Sequence, residues 1–202
     1  MKKLIFASNN DNKLAEVKNI IGSTFYVISL KEAGLQIDIP EPFDSLEANA
    51  KEKSATVFRI TGEDCFGEDT GLETVALNGE PGVKSARYAG EGKDPHENIQ
   101  KLLQRLDGHV NRSARFRTVI SLIVGGNDYL FEGISEGYIN HSQKGKNGFG
   151  YDAIFVPLGD TRTFAEMGLE EKNVFSHRKK AIEKLVAFLS HLGKTSSTKR
   201  KF

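Results

Sequence analysis

The chain has 202 residues, of which 38% are hydrophobic and 27% charged, enough apolar side chains for one well-buried α/β unit. This composition excludes a disordered chain. Twenty-eight basic residues nearly balance twenty-seven acidic ones, and the net charge of +1 argues against a protein that holds nucleic acid through its overall charge.

The start of the chain predicts a cytoplasmic protein. Lys2 and Lys3 precede an apolar run, Leu4 to Ala7, that is shorter than the roughly 7–15 residues of a signal peptide. No stretch approaches the roughly 18 apolar residues of a membrane span. The single cysteine, Cys65, cannot form an internal disulfide, which fits a reducing compartment.

The first half of the chain alternates between strand and helix patterns. Leu4 to Ala7 predicts a buried strand, Ser8 to Asn12 a polar loop, and the spacing of Leu14 to Ile21 a helix that stops at Gly22. A second amphipathic helix is predicted from about Ser45 to Ile60. Further along, strand-like segments lie near Glu63 to Gly67 and Leu72 to Leu77, and Pro81-Gly82 predicts a turn.

The second half predicts a capped helix, a hairpin and a final helix. Asp94 before Pro95 is typical of a helix N-terminus. Phe116 to Val124 and Tyr129 to Ile139 flank a glycine-rich turn, so the sheet should be mixed. A strand is predicted at Ala153 to Val156 and a helix from about Ser176. Residues 1–193 are predicted to form one α/β domain with two lobes around a cleft, and residues 194–202 a basic, disordered tail.

The polar loop after the first strand is a candidate phosphate site. Ser8-Asn9-Asn10-Asp11-Asn12-Lys13 lies where the N–H groups of a helix start point outward, and Lys13 adds positive charge. The loop lacks the glycines and the Gly-Lys-Ser/Thr ending of a Walker A motif. The residues are equally compatible with simple capping of the helix.

Two further segments carry polar groups that need partners. Asn49 and Lys53 share the inward face of the second helix, where Lys53 binds either a buried carboxylate or a phosphate. Glu68-Asp69-Thr70-Gly71 closes a predicted strand, and its carboxylates together with Glu41 are suited to a Mg²⁺ ion that also binds phosphate oxygens. Adjacent acids in a loop are otherwise simply solvated.

The last third of the chain offers a candidate surface for a flat ligand. Gly145 to Asp152 is a flexible loop that carries Phe149 and Tyr151 for stacking, although a β-bulge or hairpin tip is an alternative. Arg178 lies on the buried face of the last helix, in its first turn, where the helix dipole disfavours a cation. Its partner is therefore an internal carboxylate or a nucleotide, and Lys172 and His177 lie close to it in sequence.

Taken in order, these stretches resemble the inosine triphosphate pyrophosphatase family, enzymes also called noncanonical purine NTP pyrophosphatases. The match covers nearly the whole chain. The matching stretches are Ser8-Asn9-Asn10 with Lys13, Asn49-Ala50 with Lys53, Glu68 to Leu72, Pro81-Gly82-Val83, Ser85 to Gly90, Gly148 to Asp152, Glu171-Lys172-Asn173 and Ser176-His177-Arg178.

The resemblance implies a homodimeric, two-lobed α/β fold around a long mixed sheet. It also implies Mg²⁺-dependent hydrolysis of ITP, dITP or XTP to the monophosphate and pyrophosphate, which keeps these nucleotides out of DNA and RNA. By position, Asp69 activates the attacking water and shares the metal with Glu41. Substrate binding falls to Ser8, Asn9, Asn10, Asp11, Asn12, Lys13, Asn49, Lys53, Thr70, Phe149, Gly150, Tyr151, Asp152, Lys172, His177 and Arg178.

Two positions depart from the family pattern, and two other functions stay open. Ala48 stands where the family usually has a glutamate, and Glu47 is rotated from that position by about 100° on a helix. The metal shell is therefore expected to differ. Around Glu41, Pro42-Phe43 follows the acid where the family commonly has Thr-Gly. The alternatives are a Maf-like pyrophosphatase for modified pyrimidine nucleotides and a nucleotide-binding or nucleic-acid-binding module without the chemistry.

Overall fold

A computed structural model describes residues 2–198 of the chain, and the side chains of residues 193–198 lie outside that description. Within residues 2–198 the chain forms seven strands, five α-helices and four short 3₁₀ helices. The strands are β1 (Lys3–Phe6), β2 (Tyr26–Ser29), β3 (Cys65–Thr74), β4 (Pro81–Gly82), β5 (Ser113–Val124), β6 (Asn127–Ile139) and β7 (Phe155–Pro157). The helices are α1 (Asp11–Ile21), α2 (Leu46–Thr61), α3 (Pro95–Arg105), α4 (Leu169–Phe175) and α5 (His177–Thr198).

The strands form one mixed sheet in the order β2-β1-β3-β5-β6-β7, with the short β4 paired to β3. β1 runs parallel to β2 and β3, whereas β3, β5, β6 and β7 are successively antiparallel. The mixed sheet and the hairpin of β5 and β6 are confirmed. The parallel half brings the loop after β1 beside β3, and this arrangement places the site.

One part of the strand prediction is wrong. Residues 68–71 do not close a strand, because β3 continues through them and pairs with β5 at every position from Cys65 to Thr74. Acidic residues are uncommon inside strands. Here Glu68 is compensated by two cations, Arg178 and Lys13, so the strand can carry a buried carboxylate.

Two sets of apolar cores make the two lobes. One core, around Leu72, Leu102 and Phe155, packs α3 and β7 against the far ends of β3, β5 and β6. Two others, around Phe66 and around Val57, cover the two faces of the sheet near β1 and β2. The lobes share the long central strands, which confirms a single domain with the cleft between its lobes.

The helix ends follow the predicted signals. The Asn10 side chain accepts from the Lys13 N–H at the start of α1, and Gly22 ends that helix. Two short elements, β2 and α4, are absent from the sequence predictions, and Pro81-Gly82, predicted as a turn, forms the short strand β4. α5 continues to Thr198, through part of the predicted tail, because Gly193 alone does not stop a helix. Residues 199–202 of that tail lie outside the described residues.

No helix within residues 2–198 combines the length and apolar character needed to span a membrane.

Gly133 lets the start of α5 lie directly on β6. A Cβ at this position would come within 2.0 Å of the His177 carbonyl oxygen and 2.5 Å of the Ala181 nitrogen, and neither backbone atom can move alone. We expect Gly133→Ala to lower the free energy of unfolding by about 1–3 kcal/mol because α5 must shift. Urea denaturation measures this, with Gly92→Ala as control since its added methyl meets no atom within 4 Å.

If the Gly133→Ala and Gly92→Ala proteins unfold at the same urea concentration, the close approach of α5 to β6 does not exist in solution.

Candidate active site

The cleft contains a cavity of about 310 Å³ that collects most of the predicted site residues. Those lining it are Asn10, Asn12, Lys13, Glu41, Asp69, Thr70, Phe149, Gly150, Tyr151, Asp152, Lys172, His177 and Arg178. The other predicted residues are not in the lining. Ser8 and Asn9 brace the loop, since the Ser8 hydroxyl accepts from the Asn10 N–H and the Asn9 amide donates to the Ile37 carbonyl. Asp11 is exposed in the first turn of α1.

Asp69 is held in the middle of β3 by two side chains of α2. The Asn49 amide donates to Asp69 Oδ2 at 3.3 Å, and Lys53 Nζ lies 3.3 Å from Oδ1. Both side chains are buried, as the inward face of the helix predicts, and the carboxylate alternative for Lys53 is the one observed. Burial raises the pKa of Asp69, and the positive charges of Lys53 and Lys13 offset this only in part. The negative charge of Asp69 is therefore only partly compensated by the neighbouring cations.

Glu41 shares Lys53 with Asp69 and is tied to a second loop. Lys53 forms an ion pair with Glu41 Oε1, and Arg87 donates to Glu41 Oε2 at 3.3 Å and to its carbonyl oxygen at 3.1 Å. Burial acts to raise the pKa of Glu41, but the charges of Lys53, Lys13 and Lys93 outweigh it and lower the pKa. Glu41 is thus ionised and fixed near Asp69.

A buried charge network links the two ends of the cavity. Arg178 is 1% exposed and binds both carboxylate oxygens of Glu68, each at 2.8 Å, while a further nitrogen binds Glu16. Lys172 binds Glu16 at 2.7 Å and Asp152 at 2.6 Å. The internal-carboxylate alternative for Arg178 is therefore realised. Charged neighbours on both sides fix the direction of Arg178 and Lys172.

The other end of the cavity is a flat, partly aromatic surface. The His177 ring stacks on Phe116, with ring centroids 4.6 Å apart and planes 15° apart. Phe149 lies near two cations, Lys172 at 5.1 Å and Arg178 at 5.7 Å from its ring centroid. Among buried side-chain nitrogens and oxygens of the described residues, His177 Nδ1 has no hydrogen-bond partner. Stacking and an unpartnered polar atom both suit a heteroaromatic ring.

The loop that leads to Phe149 is anchored along its length, which corrects the expectation of a flexible loop. The N–H groups of Lys146 and Asn147 both donate to the Ala165 carbonyl at 3.0 Å, and the Asn147 amide donates to the Met167 carbonyl. The loop ends in a 3₁₀ turn at Gly150–Ala153 rather than in a hairpin tip or a bulge. Phe149 is thus presented by a fixed segment.

His177 makes a prediction about acid stability. Burial, together with the positive charges of Arg178 and Lys172, lowers its pKa well below 6.5. Below about pH 6.5 the unfolded chain gains a proton that the folded chain cannot bind, so the free energy of unfolding decreases as the pH is lowered. We expect a loss of about 2 kcal/mol between pH 7 and pH 5.

Urea denaturation at both pH values tests this, with His177→Gln as the comparison because glutamine does not titrate. The pH-dependent loss in the native sequence should exceed that of the variant by the stated amount. Equal losses in the two proteins would mean that His177 is protonated in the fold.

Several residues of the site are missing from the sequence prediction. Glu16 does not line the cavity, but it binds the lining residues Lys172 and Arg178. It had a detectable signal, since it lies on the same face of α1 as Lys13 and Ile20, but acids on a helix are usually solvated. For Phe116 the sequence pattern predicted only a position in a strand. The remaining missed lining residues come from the segment before α3 and from the first turn of α3: Val83, Ser85, Ala86, Lys93, Pro95 and Asn98.

The glutamate beside Ala48 does not join the carboxylates of the cleft. Glu47 forms an ion pair with Arg117, which also binds Glu132. Within residues 2–198 no three His, Cys, Asp or Glu side chains gather as a metal site.

Comparison with known proteins places the chain among enzymes with this architecture. A family model described as the Ham1 family matches residues 4–188. A dITP/XTP pyrophosphatase of Flavobacterium johnsoniae is 49% identical over 188 residues, which are 93% of this chain and 98% of that protein. One from Porphyromonas gingivalis is 47% identical over 190 residues, 94% of this chain and 98% of that protein.

Solved structures agree with these sequence matches. The Staphylococcus aureus Ham1 protein has a TM-score of 0.85 and 39% identity, covering 94% of this chain and 99% of that one. A HAM1 protein from Coxiella burnetii has a TM-score of 0.86 and 37% identity, covering 95% and 100%. The family expected from the ordered motifs is confirmed, and the chain belongs to the Ham1 family.

Proposed function

We propose that this protein hydrolyses noncanonical purine nucleoside triphosphates, namely ITP, dITP and XTP, to the monophosphate and pyrophosphate. The observation that carries the proposal is a single cavity with two chemically different ends. One end holds Asp69 and Glu41 among lysines, as a triphosphate requires, and the other presents a stacking surface at Phe149 and His177. The names of the relatives support the same reaction.

In this proposal Asp69 orients the attacking water. The water oxygen forms a bond to the α-phosphorus, the bond from that phosphorus to the α–β bridging oxygen breaks, and pyrophosphate leaves with the electron pair. Asp69 receives the proton of the water. Because burial raises the pKa of Asp69, this carboxylate is a stronger base than a solvated one.

The donor set of the cleft fits Mg²⁺. Asp69 and Glu41 both approach Lys53, and Mg²⁺ typically takes one or two carboxylates and fills its other positions with phosphate oxygens and waters. The raised pKa of Asp69 also indicates a place where added positive charge is favourable. When bound, the ion would neutralise charge on the phosphates. Lys13 and Lys53 would share that task.

Selectivity for the base follows from hydrogen-bond donors. Lys172 and Arg178 bring N–H donors to the aromatic end of the cavity, where a 6-oxo group accepts them and a 6-amino group does not. Adenine nucleotides are thereby disfavoured. A 6-oxo purine also stacks between ring faces as readily as adenine does, so the discrimination lies in the donors.

Pyrophosphate release from ITP, XTP, GTP and ATP tests the proposal, each measured with Mg²⁺ and again with EDTA. We expect metal-dependent turnover of ITP and XTP well above that of GTP and ATP. Turnover of modified pyrimidine nucleotides instead would favour the Maf-like function. Stoichiometric binding without pyrophosphate release would favour a binding module.

We further propose that the enzyme acts in the cytoplasm as a homodimer, without nucleic acid as a partner, and keeps altered purines out of the nucleotide pool. Light scattering coupled to size exclusion measures the molecular mass, and a dimer of the 22.3 kDa chain is the expected species.

A further inference from the structure

Lys93 lines the cavity but belongs neither to the strand that carries Asp69 nor to the aromatic end of the cavity. It lies in the loop before α3 and lines the cavity together with Pro95 and Asn98. It comes from a different part of the chain than Lys13, which lines the cavity from the start of α1.

Within the described part of the chain Lys93 forms no ion pair, unlike the other cations around the cavity. Lys13 binds Glu68 at 3.1 Å, and Lys53, Lys172 and Arg178 each bind carboxylates. Within residues 2–198 no ion pair engages the Lys93 ammonium group. A cation that lines a cavity without a protein partner is available to an anionic ligand.

α3 fixes the segment that precedes Lys93, and the Lys93 N–H donates to the Gly90 carbonyl of that segment at 3.3 Å. The Asn98 amide donates to the Ala86 carbonyl at 3.0 Å, and its oxygen accepts from the Ala89 N–H at 2.6 Å. Lys101 donates to the Tyr88 carbonyl at 2.5 Å. Immediately after Lys93, Asp94 caps α3. The backbone that carries the Lys93 side chain is therefore attached to a fixed segment.

The backbone at Lys93 gives a second, independent observation. Its φ is +54°, in the left-handed region where glycine and asparagine are favoured and a lysine is strained. Strained residues persist where the surroundings determine them, and they cluster at ligand sites. A long cationic side chain at such a position indicates a use for that side chain.

Lys93 lies toward the Glu41 end of the cavity. Arg87 of the same loop donates to Glu41 Oε2 at 3.3 Å, and backbone hydrogen bonds connect Arg87 to Gly90 and Gly90 to Lys93. With the base against His177 and the α-phosphate near Asp69, the Glu41 end is left for the remaining phosphates.

We propose that Lys93 binds the β- and γ-phosphates of the triphosphate, the part that leaves as pyrophosphate. This inference rests on the proposed function. When the bond between the α-phosphorus and the bridging oxygen breaks, the electron pair moves onto the leaving pyrophosphate. Lys93 lies where that negative charge develops, so it serves both binding and departure.

Calorimetric titration of the protein with inorganic pyrophosphate and, separately, with IMP tests the assignment. Lys93→Asn removes the charge and keeps a residue that tolerates positive φ, so the fold should be retained. We expect about tenfold weaker binding of pyrophosphate, no change for IMP, and a kcat/KM for ITP lowered about tenfold. Lys93→Arg should keep most of the affinity for pyrophosphate.

Lys84→Asn is the matched control, because Lys84 is an exposed lysine of the preceding loop that is not part of the cavity lining. It should leave all three quantities unchanged. Equal effects of Lys93→Asn on pyrophosphate and IMP, or an effect no larger than that of Lys84→Asn, would overturn the inference. If the native protein binds pyrophosphate and IMP but hydrolyses no triphosphate, the proposed function fails while the role of Lys93 is still measured.

Discussion

Asp69→Asn is expected to reduce pyrophosphate release from ITP by about 10³-fold while the protein stays folded. Asparagine keeps the shape and an acceptor oxygen for Lys53, but it cannot receive a proton from the attacking water. Because the folded state raises the pKa of Asp69, the carboxylate charge is costly there, and a neutral residue should not destabilise β3. Turnover with Mg²⁺ and the urea midpoint are measured on the same preparation.

Glu73→Gln is the control for Asp69→Asn. Glu73 lies four residues further along β3 and binds Arg115 at 2.7 Å, outside the cavity lining. Glu73→Gln removes one negative charge from the same strand and should leave turnover nearly unchanged. Near-normal activity in folded Asp69→Asn protein would exclude Asp69 as the base.

Arg178→Met is expected to cost about 3–5 kcal/mol of unfolding free energy, the largest loss of stability among these changes. The substitution leaves the carboxylates of Glu16 and Glu68 buried without their shared cation. Arg178 lowers the pKa of both acids against the effect of burial, so their contribution to stability is present above about pH 4.5 and lost as the pH falls. The variant should therefore lose less stability on acidification than the native protein.

Arg162→Met separates burial from charge as the cause. Arg162 also bridges two carboxylates, Asp160 and Glu171, but its side chain is 43% exposed. Water solvates the three groups after the substitution, so the urea midpoint should hardly move. Equal shifts for the two variants would show that the buried network around Arg178 contributes no more than an exposed one.

The sequence predicted those features that depend on local pattern. The periodicity of α2 identified Asn49 and Lys53 as inward-facing, and the same argument placed Arg178 in the interior and required a partner for it. Periodicity did not identify that partner. Glu16 and Glu68 come from α1 and β3, and only the tertiary structure brings them to one guanidinium group.

Other features depend on tertiary contacts and have no signal in the local sequence. A run of Glu-Asp-Thr-Gly resembles a loop, and it forms the centre of β3 only because Lys13, Lys53 and Arg178 neutralise it there. Lys93 carries no pattern, since its place in the cavity depends on how α3 packs against the loop before it. The two short missed elements, β2 and α4, each span too few residues for a periodic signal.

The position of Asp69 inside β3 also determines how the enzyme should fail on heating. β3 is paired with β5 along its whole length and with β1 at its start, so the amide hydrogens that β3 donates to β5 should exchange with solvent only through global unfolding. Local fraying of loops leaves the carboxylate in place. Heat inactivation and loss of the whole fold should then be a single event, without an inactive but otherwise native species in between.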